Sequence, residues 1–144
     1  MKALLTVLFL IALFISLDFT AYAQPAQGNV FVMTRFERAF PENGSASELD
    51  SLTQIMMDNS YKNNPFVVSY KTVRHWWGHD NRDFMQIIEV KSWDDVDKAS
   101  EEANTQFMKA MPNKADRDSF GKAYDKYFTG KHSDEIYREV VFKK

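Results

Sequence analysis

The sequence predicts an α+β fold, a four-stranded antiparallel sheet with helices on one face, in the order β-α-β-β-α-β with one extra helix. Three observations carry that prediction. β-prone runs alternate with helical apolar stripes, two apolar runs meet at a short polar turn, and the two strands so joined are apolar on both alternations. Right-handed crossovers around the helices, with the hairpin at the centre, fold this order into a split-βαβ arrangement.

Each element has its own signal. Asn29–Arg38 is rich in β-formers, contains neither Gly nor Pro, and reads as the first strand before Pro41, Asn43 and Gly44 break it. Ser45-Ala46-Ser47-Glu48 matches a capping box, and Leu49, Leu52, Ile55 and Met56 continue it as an apolar stripe to about Tyr61. Lys62-Asn63-Asn64-Pro65 closes that helix, because the residue before a proline is pushed out of the helical region. Phe66–Trp77 and Asp83–Lys91 then read as the hairpin strands. Phe66, Val68, Tyr70 and Trp76 fall on one alternation and Val67, Val73 and Trp77 on the other; Phe84, Ile88 and Val90 oppose Met85 and Ile87 in the next strand.

Ser92-Trp93-Asp94-Asp95 repeats a helix start, a serine cap with acids in the first turn, and Val96, Ala99, Ala103, Phe107, Met108 and Met111 extend it. Pro112-Asn113 interrupts the pattern, so Asp116–Phe128 is expected as a fresh helix with Gly130 as its stop. Glu135–Lys143 reads as the last strand, carrying Ile136, Tyr137, Val140, Val141 and Phe142.

The N-terminus carries an address. Met1-Lys2, the apolar run from Ala3 to about Leu17 and the Ala21-Tyr22-Ala23 end form a secretory signal peptide, with cleavage expected after Ala23 and export to a periplasmic or extracellular location. The apolar run is shorter than the roughly 20 residues of a membrane span, so no span is expected in the mature chain. Residues 24–28 read as a disordered lead, and residues 29–144 as a single domain with room for a core of its own. The chain contains no cysteine, which excludes disulfides and a lipid-modified start. A formal net charge of −2 with interspersed signs gives no electrostatic footprint for nucleic acid or an anionic membrane. Aromatic residues make up 15% of the chain, which implies a dense core, an aromatic-lined cavity or an apolar interface.

Candidate chemistry concentrates in Arg74–Asp83, where two of the three histidines and two of the three tryptophans fall within ten positions. Arg74, His75, Trp76, Trp77 and Arg82 offer stacking and charge-assisted hydrogen bonds to a planar or anionic ligand. His75 and His79 are the candidate general bases, since histidine changes charge near neutrality. The bland account is a hairpin of packing aromatics and a solvated turn. The four-residue spacing of these histidines suits a helix and not a strand with a turn, so no metal site is assigned, and no cofactor is identifiable. His132 is a further candidate ligand contact, in a cluster with Ser133 and Asp134 whose simplest reading is a helix stop and strand entry.

By element order and two-faced strands, essentially the whole mature chain resembles the dimeric α/β-barrel superfamily, in which two ferredoxin-like protomers pack sheet to sheet. The resemblance implies a homodimer and a small apolar or aromatic ligand held between sheet and helices, with monooxygenase-like chemistry. The haem-degrading members place an Asn on the first strand with Trp and His further on. Here that strand reads Met33-Thr34-Arg35, and Trp77 and His79 match by residue type alone. The alternative is a non-catalytic structural or protein-interaction module whose aromatics make an interface.

Overall fold

The computed structural model describes residues 28–78 and 83–142. The expected signal peptide, the lead through Gln27, and the hairpin residues His79 to Arg82 lie outside the described residues. The elements are β1 (Val30–Arg38), α1 (Ala46–Tyr61), β2 (Val67–Arg74), β3 (Asp83–Val90), α2 (Asp95–Ala110), α3 (Lys114–Asp125) and β4 (Phe128–Arg138). All strand pairs are antiparallel, in the order β2-β3-β1-β4. This is the expected split-βαβ fold with its extra helix.

The register stacks the helix-side residues into four transverse rows. Val67, Val90, Val30 and Arg138 form the first and Tyr70, Ile88, Val32 and Ile136 the second. Thr72, Gln86, Thr34 and Asp134 form the third, and Arg74, Phe84, Phe36 and His132 the fourth. Two core clusters sit on this grid. Val30, Ile88 and Val90 pack with Met57 of α1 and Ala99 of α2, while Phe84 packs with Leu49 and Tyr127. Each buried large side chain contributes roughly 1.5–3 kcal/mol, so these clusters hold the helices on the sheet.

The helix ends follow from local chemistry. Ser45 caps α1 by accepting the Glu48 amide at 3.1 Å, as the capping box requires. The return bond takes another route. The Ser45 amide donates to the Tyr127 hydroxyl at 2.8 Å, and that hydroxyl donates to Glu48 Oε2 at 2.6 Å. Gly44 has no Cβ because one would meet the Tyr127 hydroxyl and ring at 2.8 Å. The break at Pro112 does start a new helix, but it begins at Lys114, where the Asn113 side chain accepts the Ala115 amide at 2.9 Å. Ser92 is not the cap of α2. That position is Asp94, which makes no side-chain cap bond, while Ser92 donates to Asp95 at 2.7 Å.

Three strand expectations need correction. β2 ends at Arg74, so Trp76 and Trp77 do not belong to its alternation. A bulge between Val67 and Ser69 puts Val67 opposite Val90, on the same side as Tyr70, and leaves Val68 exposed. A bulge adds one residue and reverses the alternation beyond it. The last strand begins at Phe128, seven residues before Glu135, and ends before Val140. Gly130 and His132 therefore lie within it, not at a helix stop or strand entry. Charged and small residues suit β4 because it is an edge strand, where they discourage further pairing.

Candidate functional site

The helices leave two clefts over the grid. The central cleft, about 330 Å³, lies between α2 and the β1–β4 side of the sheet. Its floor combines the second and third rows, Val32, Ile88 and Ile136 beside Thr34, Gln86 and Asp134, and its walls include Tyr61, Val96 and Ser100. The edge cleft, about 350 Å³, lies between α1 and β2, with Met57, Tyr70, Thr72, Arg74 and Phe84 among its lining residues.

The third row runs beneath both clefts and is polar at every strand. Polar side chains on the covered face of a sheet cost free energy unless they find partners. Thr34 donates to Asp134 Oδ1 at 2.7 Å, and Gln86 donates to the Tyr124 hydroxyl at 3.0 Å. Burial raises the Tyr124 pKa above its ordinary value of 10.0, so this phenol stays protonated at neutral pH. Thr72 has no such arrangement: its hydroxyl is buried and has no hydrogen-bond partner among the described residues. The central cleft thus offers an apolar bed with a short polar strip, which suits an aromatic molecule bearing hydroxyl or carbonyl groups.

The structure separates the sequence-predicted site residues. Arg74 lines the edge cleft and pairs with Asp50 at 2.8 Å. His132 occupies the same transverse row on the opposite edge strand, with Phe84 and Phe36 between them, roughly 14 Å away at the usual strand spacing. Its ring lies 6.0 Å from that of Phe36, and its Nε2 lies 3.5 Å from Asp134. His75 is half-buried; its amide bonds the Asp83 carbonyl at 3.0 Å, and its Nδ1 has no partner among the described residues. Trp76 and Trp77 are 93% and 88% exposed and line neither cleft. His79 and Arg82 lie outside the described residues.

Thr34, Gln86 and Thr72 carry no motif. Their signal is a polar residue where each strand's helix-side alternation is otherwise apolar, as in Val30-x-Val32-x-Thr34-x-Phe36 and Phe84-x-Gln86-x-Ile88-x-Val90. Only the strand register shows that these breaks fall at one height.

No family model matches the sequence, and no curated protein matches it. Solved structures match its fold over most of the chain. A candidate antibiotic biosynthesis monooxygenase from Caulobacter crescentus superposes with a TM-score of 0.53 at 15% identity, covering 81% of this chain and 93% of that one. A conserved protein from Methanosarcina mazei gives 0.54 at 11% identity, with 80% and 96% covered. A NIPSNAP family protein of unknown function from Agrobacterium tumefaciens gives 0.51 at 12%, with 81% and 92% covered. At such identities the likeness is one of fold alone, the four-stranded antiparallel sheet with its helices described above.

Proposed function

We propose that this chain is an exported, homodimeric, small-ligand-binding protein of the dimeric α/β-barrel type, with monooxygenase-like activity on an aromatic substrate seated in the central cleft. The polar third row beside the apolar floor of Val32, Ile88 and Ile136, with Asp97 and Ser100 on the wall, carries the reading. Gln86, held by its hydrogen bond to the Tyr124 hydroxyl, orients a hydroxyl or carbonyl group of the ligand, while Ile88, Val32 and Val96 bury its rings. The fold likeness to a candidate antibiotic biosynthesis monooxygenase supports the reaction class. Export rests on the signal-peptide pattern, and sequencing the N-terminus of protein recovered from its own host should find Gln24 first.

The dimer is supported by the sheet face away from the helices. Phe31, Met33, Val73, Met85, Ile87 and Tyr137 point that way, and none of the described helices covers them. A second copy in an isologous pairing buries the same residues on both protomers.

The test is titration with hydroxylated polycyclic aromatics, quinones, flavins and haem, followed by amide and methyl chemical shifts. Binding should move Thr34, Gln86, Ile88 and Val96 together, and a turned-over aromatic should gain oxygen in its mass. If none of these resonances moves with any compound, the central cleft is not a ligand site. A Gln86→Leu variant removes the orienting amide and should weaken binding about tenfold, the worth of a hydrogen bond near 1.4 kcal/mol.

A further inference from the structure

Among the described residues, the edge cleft has a carboxylate outside any ion pair that the central-cleft reading does not use. Asp50 and Asp58 lie eight residues apart on α1, hence about 12 Å apart along the helix, and both border the cleft. Asp50 is matched by Arg74 at 2.8 Å. Asp58 has no such cation: its Oδ1 accepts from the neutral Tyr70 hydroxyl at 2.8 Å, and no ion pair engages it among the described residues. Lys71 also borders the cleft, from the strand position that pairs with Ile87. The lining therefore holds two carboxylates and two cations, and Asp58 is the carboxylate outside any ion pair among the described residues.

Two further observations point to a ligand. Met57 and Phe84, 3% and 2% exposed, form an apolar base beside that carboxylate, with the Tyr70 ring as a neighbouring wall. Thr72 lines the same cleft, and its hydroxyl has no hydrogen-bond partner among the described residues.

We propose that the edge cleft binds a small primary amine with an apolar or aromatic body. The ammonium group donates to Asp58 Oδ2, the oxygen that Tyr70 leaves open, and the body lies on Met57 and Phe84. The Tyr70 ring adds cation–π attraction. A carboxylate ligand is disfavoured, because Asp58 repels it and Asp50 already occupies the guanidinium of Arg74.

Three probes of one shape decide the matter: phenethylamine, 2-phenylethanol and 3-phenylpropionate, each titrated into the full folded domain at low salt while amide and methyl shifts are recorded. The amine should move Tyr70, Thr72 and Met57 saturably and bind about fivefold more tightly than the neutral alcohol, the range of a half-exposed ion pair. Asp58→Asn should erase that margin, while Asp134→Asn in the central cleft should leave it intact. Equal affinity for all three probes, shifts confined to Ile88 and Val96, or no saturable shift would each overturn the proposal. The wild-type probe series decides it even if the Asp58 variant does not fold. Failure here leaves the central cleft untouched, because the two sites are read from different resonances.

Discussion

The two faces of the sheet are built on opposite terms. On the helix side, Phe84, Ile88 and Val90 are buried, and the polar third row is flanked by apolar rows. On the other side the same strands present Met85 and Ile87, with Arg35 bonded to Asp83 through its Nε at 2.8 Å. The first face is complete within one chain except at its clefts. The second is apolar along its middle and has no cover among the described residues. In the proposed function one face holds the ligand and the other the partner copy, and adjacent residues in β3 separate the two roles.

Adjacent isoleucines make the sharpest break between them. Ile88→Asp puts a carboxylate into the cluster of Val30, Met57, Val90 and Ala99. A buried unpaired charge costs several kcal/mol, a large share of a domain's ~5–15 kcal/mol, so this variant should be unfolded by circular dichroism. Ile87→Asp places the same charge on the open face. Its helical signal should persist, while light scattering should move from two chain masses to one. If Ile87→Asp keeps the mass of two chains, the open face is not the interface.

Acid should act next, through the joint between α1 and β4. The Glu48 carboxyl is held below its ordinary value of 4.5, first by the hydrogen bond from Tyr127 and then by that from Lys126. A depressed folded pKa means the unfolded chain binds the proton more readily. The stabilisation is therefore complete above pH 4.5 and is lost as pH falls through the lower folded value. Thermal melts between pH 6 and 3 should show this loss in the wild type. Glu48→Gln should be less stable at pH 6 and should flatten that part of the curve. Parallel curves for the two proteins would sink this account.

Most of the fold is legible in the chain because local signals agree with the global arrangement. The capping serine at Ser45, the break at Pro112 and the opposed apolar sets in β3 each state their role locally. The errors arise where distant pairing overrides local pattern. β4 begins at Phe128 because Tyr127 and Phe128 are anchored in the aromatic cluster and β1 supplies an edge to pair with, neither of which shows in Thr129-Gly130-Lys131-His132. The bulge at Val68 is equally silent, and it alone moves Val67 to the covered side. The candidate site was less legible for the same reason. Thr34, Thr72, Gln86 and Asp134 are ordinary residues in four separate strands, and only register makes them a row. The tryptophan pair, by contrast, was conspicuous in sequence and lines neither cleft.

That pair gives the smallest expected effect on the isolated fold and the cleanest division between the two faces. Trp76 and Trp77 follow the end of β2 and are almost fully exposed, so replacing both with Ser removes little packing within the chain. The melting transition should move by no more than about 0.5 kcal/mol in stability, as for surface substitutions generally. Binding in the central cleft should not change, because neither residue lines it. Two adjacent exposed indoles nevertheless present a large apolar area to solvent, and association is where that area can be covered. The double variant should therefore be read by the concentration dependence of its mass. A weakened dimer with unchanged melting at fixed low concentration assigns the hairpin to the association face. A large loss of stability in the dissociated chain would mean that the tryptophans pack inside the fold, contrary to their exposure.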